Sequence, residues 1–258
     1  MKVSILQTDI AWAQPELNEQ NAGRLILNAP KADLYILPEM WNTGFITDMH
    51  NFTNGINQKD LSCSAIKSLE WMKSTARCHQ CAICGSMAVR AEDGRLFNRL
   101  YFALPDNTVF HYDKHHLFKY GGEDRCFTPG NKRTVAVYKG MRFLLVTCYD
   151  LRFPTWMRYR GDYDAIIVVA NWPASRNNVW NILLRARAME NQCYVLGANR
   201  TGTDINCTYT GDSAIINAYG NTLAQAQGNE EQAITADIDT ESLALFRNKF
   251  KVLEDRDM

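Results

Sequence analysis

The chain alternates short runs of branched apolar residues with longer segments of helical periodicity, and this alternation restricts the fold more than any other feature. Short runs of this kind are typical of buried strands. Apolar residues recur at helical spacing in residues 17–29, 61–77 and 177–192, and further helices are expected after Pro154 and from about Glu241. The predicted strands are residues 2–10, 33–39, 81–89, 96–104, 108–114, 141–148, 163–173, 193–200 and 232–239.

Tight turns join several of these strands, so the sheets are not purely parallel. Asp93-Gly94 lies in a turn over 92–95, and Gly220-Asn221 lies in a hairpin over 212–226. Both dipeptides tolerate the positive φ that such turns need. Hairpins together with helical crossovers predict an α/β fold of mixed sheets with helices on the outer faces. No Ser/Gly-rich linker interrupts the sequence, so a single domain over 1–258 is expected.

The composition favours a protein that acts on a small molecule. Hydrophobic residues make up 46% of the chain, charged residues 22%, and the formal net charge is zero. Because this balance provides no strongly basic surface, neither nucleic acid nor a membrane is an expected partner. The first residues lack the pattern of a signal peptide, and eight cysteines are too sparse for a disulfide scaffold. A reduced, cytoplasmic setting is therefore expected.

Three predicted strands end in residues that carry chemistry: Glu39, Lys114 and Cys148. Strand ends are where sites usually form in layered α/β proteins. Taken singly, each residue has a plainer interpretation, as a loop carboxylate, a solvated ammonium or a buried thiol. Together they supply a base, a cation and a nucleophile. A thiol needs a base or a cation for activation, a carboxylate can move the proton, and an ammonium can stabilise an oxyanion.

Six segments resemble, in order, the signature blocks of the nitrilase (carbon–nitrogen hydrolase) superfamily. They are ILPEMWNTGF, YDKHHLF, GGEDRCFTPG, TCYDLRFP, ANWPASR and LLRARAMENQCYV. The omega-amidase branch is most similar to this chain in the residues of three segments, CYDLRFP, NWPA and the closing FRNKF. Members of that branch hydrolyse the terminal amide of 2-oxo acids such as 2-oxoglutaramate and 2-oxosuccinamate.

The resemblance implies a catalytic triad of Glu39, Lys114 and Cys148, with Glu123 as a second glutamate and the backbone N–H of Tyr149 in the oxyanion site. It implies hydrolysis through a cysteine thioester. It also implies a four-layer αββα sandwich that pairs with a second copy, as a homodimer or larger homo-oligomer. Neither a metal nor an organic cofactor is expected.

Residues that contact the substrate are expected near the same strand ends. Arg176, on a loop after a buried strand, is interpreted as an anchor for a substrate carboxylate, because a guanidinium binds a carboxylate through two parallel hydrogen bonds. Arg152 is favoured as a structural ion pair that holds the nucleophile turn. Phe45 and Trp172 are expected to wall the pocket, although aromatic residues are as often plain core.

The sequence leaves other functions open. A related enzyme of the superfamily would hydrolyse a different amide or a nitrile, such as a deaminated glutathione or a carbamoylamine, and a catalytically silent protein would use the same sheets for binding. Cys78, Cys81 and Cys84 have a spacing typical of metal sites, but they run into an apolar strand, which favours buried thiols. His115 and His116 are expected to make structural hydrogen bonds.

Overall fold

The computed structural model describes residues 1–47 and 58–255. The helices are α1 (Pro15–Asn28), α2 (Gln58–His79), α3 (Pro154–Met157), α4 (Asn177–Glu190) and α5 (Thr240–Lys249). The strands are β1 (Lys2–Gln7), β2 (Leu34–Ile36), β3 (Ala82–Arg90), β4 (Leu96–Ala103), β5 (Val109–Asp113), β6 (Val135–Tyr138), β7 (Met141–Thr147), β8 (Ala165–Ala170), β9 (Tyr194–Asn199), β10 (Thr201–Thr203), β11 (Thr208–Thr210), β12 (Ala214–Ile216), β13 (Thr222–Gln225) and β14 (Gln232–Asp237).

Local sequence signals explain where several elements begin and turn. Pro15 opens α1, where its missing N–H costs no hydrogen bond. Asp239 precedes α5, and its carboxylate accepts the backbone N–H groups of Glu241 and Ser242. The turn between β3 and β4 contains Gly94, whose φ is 85°. The predicted turn over 92–95 is thus confirmed.

Two mixed sheets of six strands form the centre of the described chain. The first has the order β14-β1-β2-β3-β4-β5 and the second the order β13-β12-β9-β8-β7-β6. In each sheet three consecutive strands are parallel, namely β1-β2-β3 and β7-β8-β9, and the outer neighbours are antiparallel. Helical connections therefore join the parallel strands in the middle of each sheet, and hairpins join β3-β4-β5, β6-β7 and β12-β13.

Apolar packing holds the layers together. The inner faces of the two sheets share one core, in which the rings of Phe102 and Phe143 lie 5.5 Å apart between centroids. Helices α1 and α2 cover the outer face of the first sheet. Trp180 and Leu184 of α4 are fully buried against the second sheet. Each such side chain contributes roughly 1.5–3 kcal/mol through burial. The predicted four-layer αββα arrangement is confirmed.

The structure differs from the predicted elements in four main places. The segment after Pro154 forms only the single turn of α3, because the backbone N–H of Tyr159 bonds to the side chain of Asn191 and does not continue the helix. Strand β6 and the ribbon of β10 and β11 were not predicted. Strand β2 ends at Ile36, so Glu39 lies in the loop beyond Pro38. Across residues 1–47 and 58–255, every helix is too short or too polar to cross a membrane.

Candidate active site

The ends of three strands bring the predicted catalytic residues together. Glu39 lies in the loop after β2, whereas Lys114 directly follows β5 and Cys148 directly follows β7. Lys114 Nζ lies 2.8 Å from Glu39 Oε1 and 2.8 Å from Glu123 Oε2. All three side chains are fully buried, and each interacts electrostatically with the Cys148 thiol. Loops after strands of the first sheet thus form one charged cluster, next to a cysteine that ends a strand of the second sheet.

Cys148 occupies a strained position at the start of a short 3-10 turn, Cys148–Arg152. Its backbone φ is 45°, a conformation that is uncommon for a residue with a side chain. Strain of this kind persists only where the surrounding structure imposes it, and it clusters at active sites. The turn carries the thiol out of the apolar strand and toward the charged cluster.

Asp150 fixes this nucleophile turn. Its buried carboxylate accepts hydrogen bonds through Oδ2 from the Tyr112 hydroxyl at 2.8 Å and from the Thr147 backbone N–H at 3.0 Å. Oδ1 accepts the backbone N–H of His116 at 2.8 Å and lies 2.8 Å from Nδ1 of the same residue. Because Tyr112 and His116 flank the end of β5, Asp150 ties the nucleophile turn to the loop that carries the ammonium.

Two asparagines without a catalytic motif in the sequence hold the carboxylates. Asn98 Nδ2 donates to Glu39 Oε1 at 2.7 Å and to Glu123 Oε1 at 3.0 Å, and its Oδ1 accepts the Ser86 hydroxyl at 2.9 Å. Asn171 donates its backbone N–H to Glu39 Oε2 at 2.8 Å and its Nδ2 to the Glu39 carbonyl oxygen at 2.6 Å. The only signal in the sequence was a polar residue inside β4 and another directly after β8.

Burial and charge set the protonation states of the cluster. Burial alone would lower the pKa of Lys114, but the carboxylates of Glu123 and Glu39 raise it above the ordinary value, so the ammonium stays charged. Burial raises the pKa of Glu123, with Lys114 opposing and Glu39 adding to the effect. Burial and the charge of Glu39 raise the pKa of the Cys148 thiol well above its ordinary value, although Lys114 opposes them. The resting site therefore holds a thiol beside a carboxylate that can take its proton.

A small pocket opens beside Cys148, with a cavity volume of about 60 Å³. Space of that size admits water and suits a small acyl group. Within the described part of the chain, the lining residues are Phe45, Phe118, Cys148, Tyr149, Arg152, Asn171, Trp172, Pro173, Arg176, Cys207 and Tyr209. The structure therefore places all four expected substrate-contacting residues, Phe45, Tyr149, Trp172 and Arg176, next to the candidate nucleophile.

The two arginines of the pocket stack on aromatic rings. The guanidinium carbon of Arg152 lies 5.3 Å from the ring centroid of Trp172, and that of Arg176 lies 5.3 Å from the ring centroid of Phe118. No carboxylate within residues 1–47 and 62–255 forms an ion pair with either arginine. The predicted structural ion pair of Arg152 is therefore wrong for this part of the chain, because other donors already saturate Asp150, the acidic residue of the same turn.

The two histidines beside Lys114 make structural contacts, as predicted. Nδ1 of His115 lies 2.6 Å from the Gly130 carbonyl oxygen, and its ring stacks on Trp156 with 3.7 Å between centroids. The ring of His116 bonds to Asp150. Both rings thus orient the loop after β5.

The cysteines of segment 78–84 lie in three different environments. Cys78 is exposed near the end of α2, Cys81 lies in the core beneath the helices, and Cys84 lies in the core between the sheets. Burial raises the pKa of Cys81 to about 12 and that of Cys84 well above its ordinary value, so neither is a ready thiolate ligand. Among the residues that the structure describes, no three His, Cys, Asp or Glu side chains are grouped to hold a metal ion.

Comparison with known proteins identifies the family of the chain. Residues 2–248 match the family described as carbon-nitrogen hydrolase. The chain is 38% identical to omega-amidase YafV of Escherichia coli K12, over 100% of this chain and 97% of that protein. It is 34% identical to the 2-oxoglutaramate amidase of Bacillus subtilis 168, over 98% of this chain and 96% of that protein.

Solved structures share the same fold. XC1258 from Xanthomonas campestris, a CN-hydrolase superfamily protein with an arsenic adduct in its active site, superposes with a TM-score of 0.88 at 35% identity, covering 100% of this chain and 97% of that one. Nit3 of Saccharomyces cerevisiae, a member of the nitrilase superfamily, gives a TM-score of 0.83 at 25% identity, covering 97% of this chain and 94% of that one. The chain therefore belongs to the carbon–nitrogen hydrolase (nitrilase) superfamily, as its motifs predicted, and it is a hydrolase of carbon–nitrogen bonds in linear amides.

Proposed function

We propose that the chain is an omega-amidase that hydrolyses the terminal amide of a small 2-oxo acid, 2-oxoglutaramate or 2-oxosuccinamate. The observation that supports this most strongly is a single pocket that holds both the Cys148 thiol and two guanidinium groups without ion-pair partners in the described chain. Such a pocket suits a substrate with a carboxamide at one end and a carboxylate at the other. The names of the relatives from Escherichia coli and Bacillus subtilis support the same substrate class.

In the proposed acylation step, Glu39 takes the thiol proton while Cys148 Sγ attacks the carbonyl carbon of the amide. Lys114 and the backbone N–H of Tyr149 stabilise the oxyanion that forms. The carbon–nitrogen bond then breaks, Glu39 returns the proton to the nitrogen, and ammonia leaves a thioester behind. Because the pKa of the resting thiol is raised, attack and proton transfer must be coupled, and this makes a nearby carboxylate necessary.

In the proposed second step, water hydrolyses the thioester. Glu39 takes a proton from the water, the hydroxide attacks the thioester carbon, and the proton passes to the departing sulfur. Glu123 helps to position the water and holds the ammonium, since its two oxygens lie 3.0 Å and 2.8 Å from Lys114 Nζ. Its Oε2 also accepts the backbone N–H of Phe118 at 2.7 Å, which orders the pocket wall.

The chemistry is tested by replacing the nucleophile. Cys148→Ala should abolish ammonia release while the circular dichroism spectrum and the melting temperature remain those of the wild type. Mass spectrometry of the wild-type enzyme, quenched during turnover, should find an acyl group on Cys148. Substantial amidase activity in the alanine variant would exclude the mechanism, and a stable fold without any adduct or turnover would favour a catalytically silent protein.

The substrate class is tested by removing the proposed anchor. Arg176→Ala should lower kcat/KM for the 2-oxo acid amides by about 10- to 100-fold, as expected for a lost charged hydrogen bond, and should affect neutral amides much less. Arg185→Ala is the matched control, because Arg185 bonds to the Gly220 carbonyl oxygen and lies outside the pocket lining. The panel should include a deaminated glutathione, a carbamoylamine and a nitrile. Equal losses on charged and neutral amides would refute the anchor.

Homo-oligomer formation, a cytoplasmic location and independence from cofactors stay predictions from the sequence.

A further inference from the structure

Asn171 contains an unexplained acceptor beside the nucleophile. The residue directly follows β8, lines the pocket and is only 6% exposed. Its backbone N–H and its Nδ2 both donate to Glu39. Its Oδ1 is buried without a hydrogen-bond partner among the residues that the structure describes. Buried polar atoms are almost always paired, so an orphaned oxygen on a residue that lines the reaction pocket needs an explanation.

The orientation of the Asn171 amide follows from its neighbour. The Glu39 carbonyl oxygen can only accept a hydrogen bond, so the side-chain atom 2.6 Å from it must be the NH₂ group. Turning the amide over would place two acceptors against each other. Oδ1 is therefore the atom left without a partner, and it is held there by the backbone of the proposed general base.

The hydrogen bonds of Glu39 divide the site into two sides. Oε1 receives Lys114 and Asn98, whereas Oε2 receives the backbone N–H of Asn171. A planar carboxamide whose oxygen faces Lys114 has its nitrogen on the other side, toward Oε2 and Asn171. We propose that Asn171 Oδ1 accepts an N–H of the substrate carboxamide and then of the departing ammonia, and thereby makes the site selective for primary amides. This inference rests on the proposed amidase function.

The interaction strengthens as the reaction proceeds. When the proton from Cys148 passes through Glu39 to the nitrogen, the NH₂ group becomes an NH₃ group with a developing positive charge. The carbon–nitrogen bond breaks with its electron pair on that nitrogen, and neutral ammonia leaves. A hydrogen bond from a charged donor is stronger than one from a neutral amide, so Asn171 Oδ1 would stabilise the transition state more than the bound substrate. The oxygen of an ester offers no N–H and gains nothing from this acceptor.

The test compares a primary amide with the methyl ester of the same acid, in the wild type and in Asn171→Ala. We expect the substitution to lower kcat/KM for the amide by about 10- to 100-fold. We expect kcat/KM for the ester to fall about tenfold less than that for the amide, because the lost bond from Nδ2 to the Glu39 carbonyl oxygen affects both substrates, whereas the lost acceptor affects only the amide. Equal losses on amide and ester would overturn the proposal, since they would show that Asn171 only positions Glu39.

A matched variant shows how much activity is lost when an asparagine no longer positions Glu39. Asn98→Ala removes another buried asparagine that bonds to Glu39 but does not line the pocket, so it should impair amide and ester equally. If Asn171→Ala fails to fold, Asn171→Leu, which keeps the size of the side chain but has no acceptor, is used, with the same difference between amide and ester expected.

Binding measurements make the proposal independent of turnover. In Cys148→Ala protein, calorimetry should show that Asn171→Ala raises the Kd of the amide several-fold and leaves that of the ester unchanged; an unchanged Kd for both would overturn the proposal. If the wild type hydrolyses no 2-oxo acid amide, the pair is made from whichever primary amide of the panel it does hydrolyse. Failure of the proposed substrate and failure of the Asn171 inference are therefore separate outcomes.

Discussion

The Asp150→Asn substitution tests whether one buried carboxylate positions the nucleophile. Asp150 is fully buried and accepts hydrogen bonds through both oxygens. Two donors cannot reorient, the backbone N–H of Thr147 on Oδ2 and the backbone N–H of His116 on Oδ1. Asparagine has a single acceptor oxygen, so its NH₂ group must face one of these N–H groups in either orientation. The Tyr112 hydroxyl cannot relieve this, because it already accepts from the backbone of His115 and from the indole of Trp156.

The unsatisfied N–H group and the lost hydrogen bonds determine the expected loss of stability. A buried donor left without an acceptor costs about 1–3 kcal/mol, and the loss of hydrogen bonds to a charged oxygen adds a similar amount. We therefore expect the free energy of unfolding to fall by about 3–5 kcal/mol. For a chain of this size, that corresponds to a decrease in melting temperature of roughly 6–15 °C. Because the turn carries Cys148, a displacement of about 1 Å would also lower kcat about 100-fold.

Differential scanning calorimetry and an ammonia-release assay measure the two effects. Asp237→Asn is the control, since Asp237 pairs with Lys2 at 3.5 Å on the surface and its side chain is 73% exposed. Because such a surface pair contributes little to the free energy of unfolding, the control should melt within about 2 °C of the wild type. An Asp150→Asn variant that melts like this control and keeps its kcat would show that the four hydrogen bonds do not hold the turn.

Two further predictions concern the charged cluster. Lys114→Met should leave Glu39 and Glu123 without their shared ammonium, at a cost of about 3–5 kcal/mol in unfolding free energy, and should remove turnover; calorimetry showing wild-type stability would contradict the ion-pair assignment. The raised pKa of Cys148 means that the proton is held more tightly than in an ordinary thiol. The ultraviolet absorbance of wild type minus that of Cys148→Ser should therefore show no thiolate at neutral pH. This difference should increase only above pH 9.0, the ordinary pKa of a thiol. A thiolate transition near neutral pH would refute the assignment.

The sequence by itself determined the layers and the chemical groups of the site. Alternating apolar runs and helical segments predict strands and helices because each periodicity reports which face of a local element is buried. Glu39, Lys114 and Cys148 could be found because each is the last residue of a predicted strand, and Asp93-Gly94 marks a turn through its own backbone preference. Each of these signals is local, but the catalytic interpretation of the three residues depended on their occurring together and on the resemblance of the surrounding segments to the family.

Only the tertiary structure decided which groups meet. Asn98 and Asn171 bond to a carboxylate 59 and 132 positions away, and no local pattern reports such a contact. Arg152 was expected to form an ion pair, but the fold directs the neighbouring Asp150 to donors on the loop after β5 and leaves the arginine on an aromatic ring. The physical reason is that hydrogen-bond partners are selected by the packing of two sheets against each other, and that packing depends on side chains from the whole chain.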